Sequence, residues 1–124
     1  MSTRSAIGSI SEDGKFYANY CHYDGYPEHV GKILAEYHSS VEAAMKIFNG
    51  QHIRNFDHDG TICRFGEGDG SMEAYESVED ALNSGFDYAY VFDGKQKRWT
   101  CYGRDRNPLF HVREYAIPGN KVAA

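Results

Sequence analysis

The sequence has few prolines, cysteines and tryptophans: three, three and one among 124 residues. With so few prolines, and with no Ser/Gly-rich or low-complexity tract, nothing marks an internal linker. The sequence therefore predicts a single domain over residues 1–124, with a frayed tail from about residue 118. Three widely spaced cysteines do not make a disulfide framework, so we expect a reducing compartment and buried, unpaired thiols.

Long apolar runs and an excess of basic residues are also missing. No run approaches the length of a membrane span, and residues 1–4 lack the apolar segment of a signal peptide, so we expect a soluble, intracellular protein with no membrane partner. The net charge is -5 and the sequence pI is about 5.6. Nucleic acid is therefore a disfavoured partner, because proteins that bind it carry a basic footprint.

The charge that is present is unevenly distributed. Residues 67–93 carry eight acidic and no basic side chains, whereas residues 94–124 carry seven basic and two acidic ones. This asymmetry permits two electrostatically distinct surfaces. A solvated acidic helix beside a basic hairpin is the simpler explanation of the same pattern.

Hydrophobic periodicity predicts an α+β fold. Apolar alternation and turn residues predict strands at 4–10, 15–23, 51–56, 61–65, 86–92, 98–102 and 109–117. Helical spacing and capping residues predict helices that begin near residues 27, 40 and 77, the first with a buried stripe of Val30, Ile33, Leu34 and Tyr37. Because hairpins occur at both ends and βαβ alternation is irregular, we expect a mainly antiparallel sheet of about six strands with two to three short helices.

Metal-binding and nucleophilic motifs are weak. Six histidines and three cysteines occur, but no C-x2-C pair, H-E-x-x-H motif or histidine pair at i, i+4 accompanies them, so we expect no metal and no cofactor. The run at 57–60 resembles the start of a calcium loop but lacks the acidic twelfth residue, which favours a turn. Cys21 and His22 are adjacent on a predicted strand, so their side chains point to opposite faces and cannot pair.

The segment 20–31 is the strongest candidate site. It concentrates aromatic, titratable and turn-forming residues at a predicted strand-to-helix junction, where scaffolds often present functional loops. Several of the ten tyrosines cluster here, and tyrosine favours recognition surfaces. Asp24, Glu28 and His29 are close enough to act as acid, base or hydrogen-bond partners, although Asp24 could only start a turn and Glu28 only favour the helix dipole. The predicted binding residues are His22, Tyr23, Asp24, Tyr26, Glu28 and His29.

Two arginines are candidate anion contacts. Arg104 and Arg106 are two residues apart beside aromatic residues, and guanidinium groups can hold a phosphate or carboxylate and stack on a planar ring. A surface cluster that balances the acidic segment is an equally good explanation. The glycine-rich stretch 66–70 is acidic and lacks lysine, so it does not resemble a phosphate-binding loop.

The first 35 residues resemble a family of small, mostly bacteriophage-encoded proteins of unassigned activity. The resemblance rests on the T-R-S start at 3–5 and on the segment 20–34, which contains the run Y-C-H-Y-D-G-Y-P-E-H-V-G. Residues 90–94 and 102–106 resemble later segments of that family more loosely. The resemblance implies a phage accessory protein that acts in the cytoplasm of the infected host cell; it implies no catalytic residue.

Together these features favour a protein that acts by binding. The leading hypothesis is a host-takeover or counter-defence factor that inhibits a host protein or sequesters a host nucleotide signal. A small hydrolase that uses His22 or His29 as general base on a phosphoester or acyl substrate is the first alternative. A structural or oligomerising module, whose tyrosines pack against a second copy, is the other. The residues leave open whether the protein catalyses a reaction, but they favour a protein that only binds.

Overall fold

Three α-helices and eight strands are formed by residues 3–66, 72–104 and 112–119, which the computed structural model describes. The strands are β1 Ser5–Ile10, β2 Phe16–Cys21, β3 Ile53–Phe56, β4 Ile62–Arg64, β5 Glu73–Tyr75, β6 Tyr88–Asp93, β7 Arg98–Arg104 and β8 Val112–Tyr115. The helices are α1 Lys32–Tyr37, α2 Val41–Ile47 and α3 Val78–Asn83, and a π-helical turn at Pro27–Gly31 leads directly into α1. The α+β class is therefore confirmed. The start of the last predicted strand, residues 109–111, and most of the predicted tail lie outside the described residues.

The sheet is mixed, so the expectation of a mainly antiparallel sheet of about six strands is only roughly right. Its order is β4-β3-β2-β1-β6-β7-β8, and β5 pairs with the first half of β2. Two neighbouring pairs, β1 with β6 and β2 with β3, are parallel. The chain returns to β3 after the helical segments 27–47, and a helical crossover brings the next strand back in the same direction.

The π-helical turn is fixed to the sheet by close packing and a buried hydrogen bond. Pro27 occupies the first turn, where its missing N–H is not needed. The Tyr90 hydroxyl donates to the carbonyl of Gly25 at 2.7 Å. A side-chain carbon on Gly25 would lie 2.8 Å from the Thr3 carbonyl oxygen, so only glycine fits here without displacing the backbone. The junction 20–31 therefore has a fixed position relative to β1 and β6.

Two apolar cores lie on opposite faces of the sheet. The larger one lies under the π-helical turn, α1 and α2, and Leu34, Tyr90 and Trp99 are buried in it. The smaller one lies under α3 and contains Phe16 and Leu82. Of the predicted stripe on the first helix, Val30, Ile33 and Leu34 are buried, but Tyr37 is 45% exposed, which corrects the prediction. Tyr37 is the last residue of α1, where its ring lies beside Gly60.

α3 covers only part of its side of the sheet. It is six residues long and packs on β6 and β7, with Ala81 and Leu82 buried against Ala6 and Ala89. The main contacts of α3 are with β5, β6 and β7, so the surface formed by the end of β2, β3 and β4 lies to one side of this helix. In the described ranges of the chain, no helix is long and apolar enough to cross a membrane.

His38 connects three parts of the larger core. Its Nε2 donates to the carbonyl of Gly60 at 2.9 Å, and its own carbonyl accepts from Trp99 Nε1 at 3.0 Å. Its Nδ1 is buried without a hydrogen-bond partner among the described residues. Burial lowers the pKa of His38 below its ordinary value of 6.5, and the bond to Gly60 opposes that shift only in part.

We expect the free energy of unfolding to decrease as the pH falls below about 6.5. In that range the unfolded His38 takes up a proton that the folded residue does not, so protons favour the unfolded chain; above 6.5 the contribution is fully present. Urea unfolding at pH 7.5 and pH 5 would measure the change. His38→Gln retains a donor for Gly60 but cannot titrate, so it should lose part of the pH dependence. Equal pH profiles for wild type and variant would contradict this role.

Candidate ligand-binding face

A group of rings occupies the part of the sheet that α3 leaves uncovered. In β2, Cys21 points into the larger core, so Tyr20 and His22 point to the opposite side. His52, just before β3, and Phe65, just after β4, reach the same side, and the Phe65 N–H donates to the His52 carbonyl at 3.4 Å. Phe86, just before β6, completes the group. We call this surface the aromatic–histidine face; its members are Tyr20, His22, His52, Phe65 and Phe86.

The rings of the aromatic–histidine face contact one another around Tyr20. The Tyr20 ring centroid lies 5.1 Å from that of His52, 5.8 Å from that of His22 and 5.9 Å from that of Phe86. The His22 and Phe65 centroids are 5.8 Å apart in an edge-to-face arrangement. The Tyr20 hydroxyl and His22 Nδ1 share a short hydrogen bond. These contacts restrict the orientation of the rings before any ligand binds.

Solvent reaches much of this surface. His52 and Phe65 are exposed, Phe65 at 45%, while Tyr20, His22 and Phe86 are half-buried. Tyr23 is 42% exposed, and its ring stands edge-to-face against His22 at 4.4 Å, so it extends the face at its edge. A contiguous, partly exposed group of aromatic rings is a common property of ligand and partner sites.

Two arginines and one aspartate lie at one end of the aromatic–histidine face. If the strand register is continued by one residue beyond the ends of β2, β1 and β6, then His22, Arg4 and Asp87 align with Arg104 of β7 in one row on the α3 side. Arg4 and Arg104 are two strands apart, about 10 Å at the backbone. The Arg4 guanidinium lies 3.9 Å from where a side-chain carbon on Gly85 would be, beside Phe86. The Asp87 carboxylate accepts from the Arg4 backbone N–H at 2.9 Å, which holds this row together.

The structure divides the predicted junction residues into two groups. His22 and Tyr23 belong with the aromatic–histidine face. Tyr26 and His29 lie instead at the π-helical turn, with their ring centroids 6.2 Å apart. Asp24 is exposed at the turn between the groups and has a positive φ of 56°. Glu28 is exposed in the first turn of the π-helix. Of the two predicted anion contacts, Arg104 ends β7, and Arg106 lies outside the described residues.

The chemistry of the two buried cysteines argues against either one as a thiolate nucleophile. Burial raises the pKa of Cys21 to about 12 and that of Cys101 to about 12, so both thiols stay protonated and unreactive near neutral pH. Cys21 also lies on the opposite side of the sheet from His22. Within the described part of the chain, no three side chains of His, Cys, Asp or Glu are grouped to hold a metal ion.

Sequence reasoning missed four residues of this region. His52, Phe65, Phe86 and Arg4 reach the face through strand pairings between distant parts of the chain. The sequence predicted the strands near these residues, but it did not predict which strands pair with one another. His22 and Tyr23 were found because they share the conspicuous segment 20–31.

Neither a protein-family model nor a curated protein nor a solved structure matches this chain. The likeness of the first 35 residues to phage-encoded proteins therefore stays a hypothesis, and the function has to be argued from the site itself.

Proposed function

We propose that this protein acts by binding and that its aromatic–histidine face holds the base of a small nucleotide. The observation that carries the proposal is the partly exposed group of mutually contacting rings beside a row with two arginines. Planar bases stack on aromatic side chains with little dependence on their identity, and each stacked base contributes about 1–3 kcal/mol. Arg4 and Arg104 supply charge for the phosphate at the edge of the same surface.

The arrangement of the rings favours recognition over catalysis. The Tyr20 hydroxyl is hydrogen-bonded to Nδ1 of His22. The neighbouring cysteine, Cys21, is buried on the other side of the sheet. A hydrolase would need a nucleophile or an activated water within reach of a free histidine nitrogen. The hydrolase alternative would be favoured instead if nucleotide or ester panels were turned over and His22→Ala or His29→Ala lowered the rate.

The biological setting follows from the phage-like opening of the chain. A nucleotide-binding accessory protein made in an infected cell would act by sequestering a host-made nucleotide signal, as a host-takeover or counter-defence factor. Inhibition of a host protein is the second candidate, and the exposure of Tyr23 and Phe65 supports it, because exposed aromatic residues often anchor protein interfaces. Native mass spectrometry of the protein recovered from infected and uninfected lysates would distinguish a nucleotide, a host protein and a second copy of the chain.

We expect Phe65→Ala to weaken nucleotide binding by more than about 1 kcal/mol, roughly a fivefold change in Kd. The ring is exposed, so its loss should leave the melting temperature nearly unchanged. Isothermal titration calorimetry with a panel of mono- and dinucleotides would measure the affinity. Met45→Ala is the matched control, because Met45 is a 61% exposed apolar residue on α2, away from the face.

The dependence of binding on salt concentration should distinguish the contribution of the arginines from that of the aromatic rings. Arg4→Ala should also weaken binding, and its effect should shrink as the ionic strength rises, because Arg4 is exposed and exposed charges are screened. The effect of Phe65→Ala should persist at high salt. If no nucleotide in the panel binds and none is recovered from either lysate, the sequestration proposal is wrong.

A further inference from the structure

His29 and His58 form a second cluster, separate from the aromatic–histidine face. His29 lies in the π-helical turn, and His58 lies in the turn between β3 and β4. Their ring centroids are 5.2 Å apart and the rings are nearly perpendicular. His58 is exposed and His29 is half-buried, so solvent reaches the space between them. Single-turn π-helices are rare in proteins and occur frequently at functional sites.

One hydrogen bond sets which nitrogen His29 can offer. Its Nε2 lies 3.0 Å from the carbonyl oxygen of Phe56, and a carbonyl can only accept, so Nε2 carries the proton. In the neutral ring, Nδ1 then presents its lone pair, and no hydrogen bond occupies it among the described residues. Metal-binding histidines usually donate their other ring nitrogen to a carbonyl or carboxylate in this way, which fixes the tautomer and the ring orientation.

The spacing of the two rings also suits a shared metal ion. A bound nitrogen lies about 2.0–2.1 Å from zinc, which places each ring centroid about 3.2 Å from the metal. At a tetrahedral angle, two such centroids are about 5.2 Å apart. The observed separation is 5.2 Å. His58 is exposed, so its side chain is free to rotate about its own bonds.

The charges near this pair favour a cation. Asp57 and Asp59 flank His58, and Glu28 precedes His29. All three carboxylates are exposed. They are not close enough to supply a third ligand, because no group of three candidate ligands forms in the described part of the chain. Their field nevertheless raises the local concentration of divalent cations.

We propose that His29 and His58 bind a borderline divalent transition-metal ion of the zinc, nickel or copper class, with water completing its coordination. Imidazole nitrogen suits these ions, whereas calcium and magnesium require oxygen ligands. With only two protein ligands, the site is open, so the ion can also accept a donor atom from another molecule. The site links the π-helical turn to the β3–β4 turn, next to the hydrogen bond between His29 and Phe56 at the end of β3.

The test is to titrate the untagged chain with Zn²⁺ and to measure the binding by isothermal titration calorimetry. We expect one site per chain, and His29→Ala and His58→Ala should each weaken binding at least tenfold. His52→Ala is the matched control, since it removes an exposed histidine on the other side of the sheet and should leave the Zn²⁺ affinity unchanged. Melting curves of the metal-free variants would show that each remains folded.

Nitrogen-15 NMR of the histidine rings supplies an independent readout. Zn²⁺ should shift the Nδ1 resonance of His29 while its Nε2 remains protonated against Phe56. The proposal is wrong if Zn²⁺ does not bind, if both alanine variants bind as well as wild type, or if Nε2 of His29 is the nitrogen that responds. Nucleotide titrations of the same samples would test the other site separately, because the aromatic–histidine face contains neither residue.

Discussion

Replacing Gly8 with alanine should destabilise the protein by about 3 kcal/mol or more. Gly8 lies in β1, the central strand between β2 and β6, and a side-chain carbon built on it would lie 1.8 Å from the Tyr17 carbonyl oxygen. That contact is with backbone, so it cannot be relieved by a rotamer change. The strands would have to separate, which would break the pairing of Gly8 with Ala18. Typical domains have only about 5–15 kcal/mol of stability, so a large share would be lost.

Urea unfolding of Gly8→Ala beside Ser9→Ala would test this expectation. Ser9 is the next residue in the same strand and is half-buried, so removal of its hydroxyl should change the free energy of unfolding by no more than about 0.5 kcal/mol. A Gly8→Ala protein within 1 kcal/mol of wild type would mean that β1 and β2 do not pair in this register. The same result would undermine the position of Tyr20 and His22 on the aromatic–histidine face.

The local parts of the fold were predictable from the sequence, and the long-range parts were not. The β1–β2 hairpin follows from the turn at 11–15, where the Asp13 carboxylate accepts from the Lys15 N–H and Gly14 has a φ of 82°. The parallel neighbours of β1 and β2 depend on which strand edges remain free after the helices pack, and no local pattern encodes that choice. β5 was missed because it is only three residues long and lies in an acidic, largely exposed segment.

The same distinction explains the candidate sites. Segment 20–31 is conspicuous in the sequence, but a strand alternates its side chains and the following turn changes direction, so adjacent residues separate in space. Tyr23 and Tyr26 are three residues apart, yet each contacts a different histidine. Each of the two groups is completed by a residue from the β3–β4 region. Phe65 contacts His22, and His58 contacts His29. Their position depends on the short parallel pairing of Cys21 with Ile53 and on the backbone bonds from His22 and Tyr23 to Ile53 and Arg54.

Trp99→Ala should cost about 3–5 kcal/mol of stability, the second large effect that we expect. Trp99 is fully buried, and its ring packs against Phe92 at 5.0 Å and Phe48 at 6.0 Å. Its Nε1 also donates to the carbonyl of His38, so removal would leave a cavity together with a buried carbonyl that lacks its donor. Chemical unfolding monitored by far-UV circular dichroism is the suitable measurement, because the variant has lost the tryptophan needed for fluorescence.

Trp99→Phe separates the two contributions. Phenylalanine keeps most of the apolar ring but cannot donate, so the orphaned His38 carbonyl alone should cost about 1–3 kcal/mol. The exposed control Met45→Ala should stay within about 0.5 kcal/mol of wild type. If Trp99→Phe is as stable as wild type, the bond to His38 does not contribute, and water or another donor must satisfy that carbonyl. Because Trp99 lies in the core under the helices, the fraction of either variant that remains folded should bind nucleotide as wild type does, which distinguishes a stability role from a role in the site.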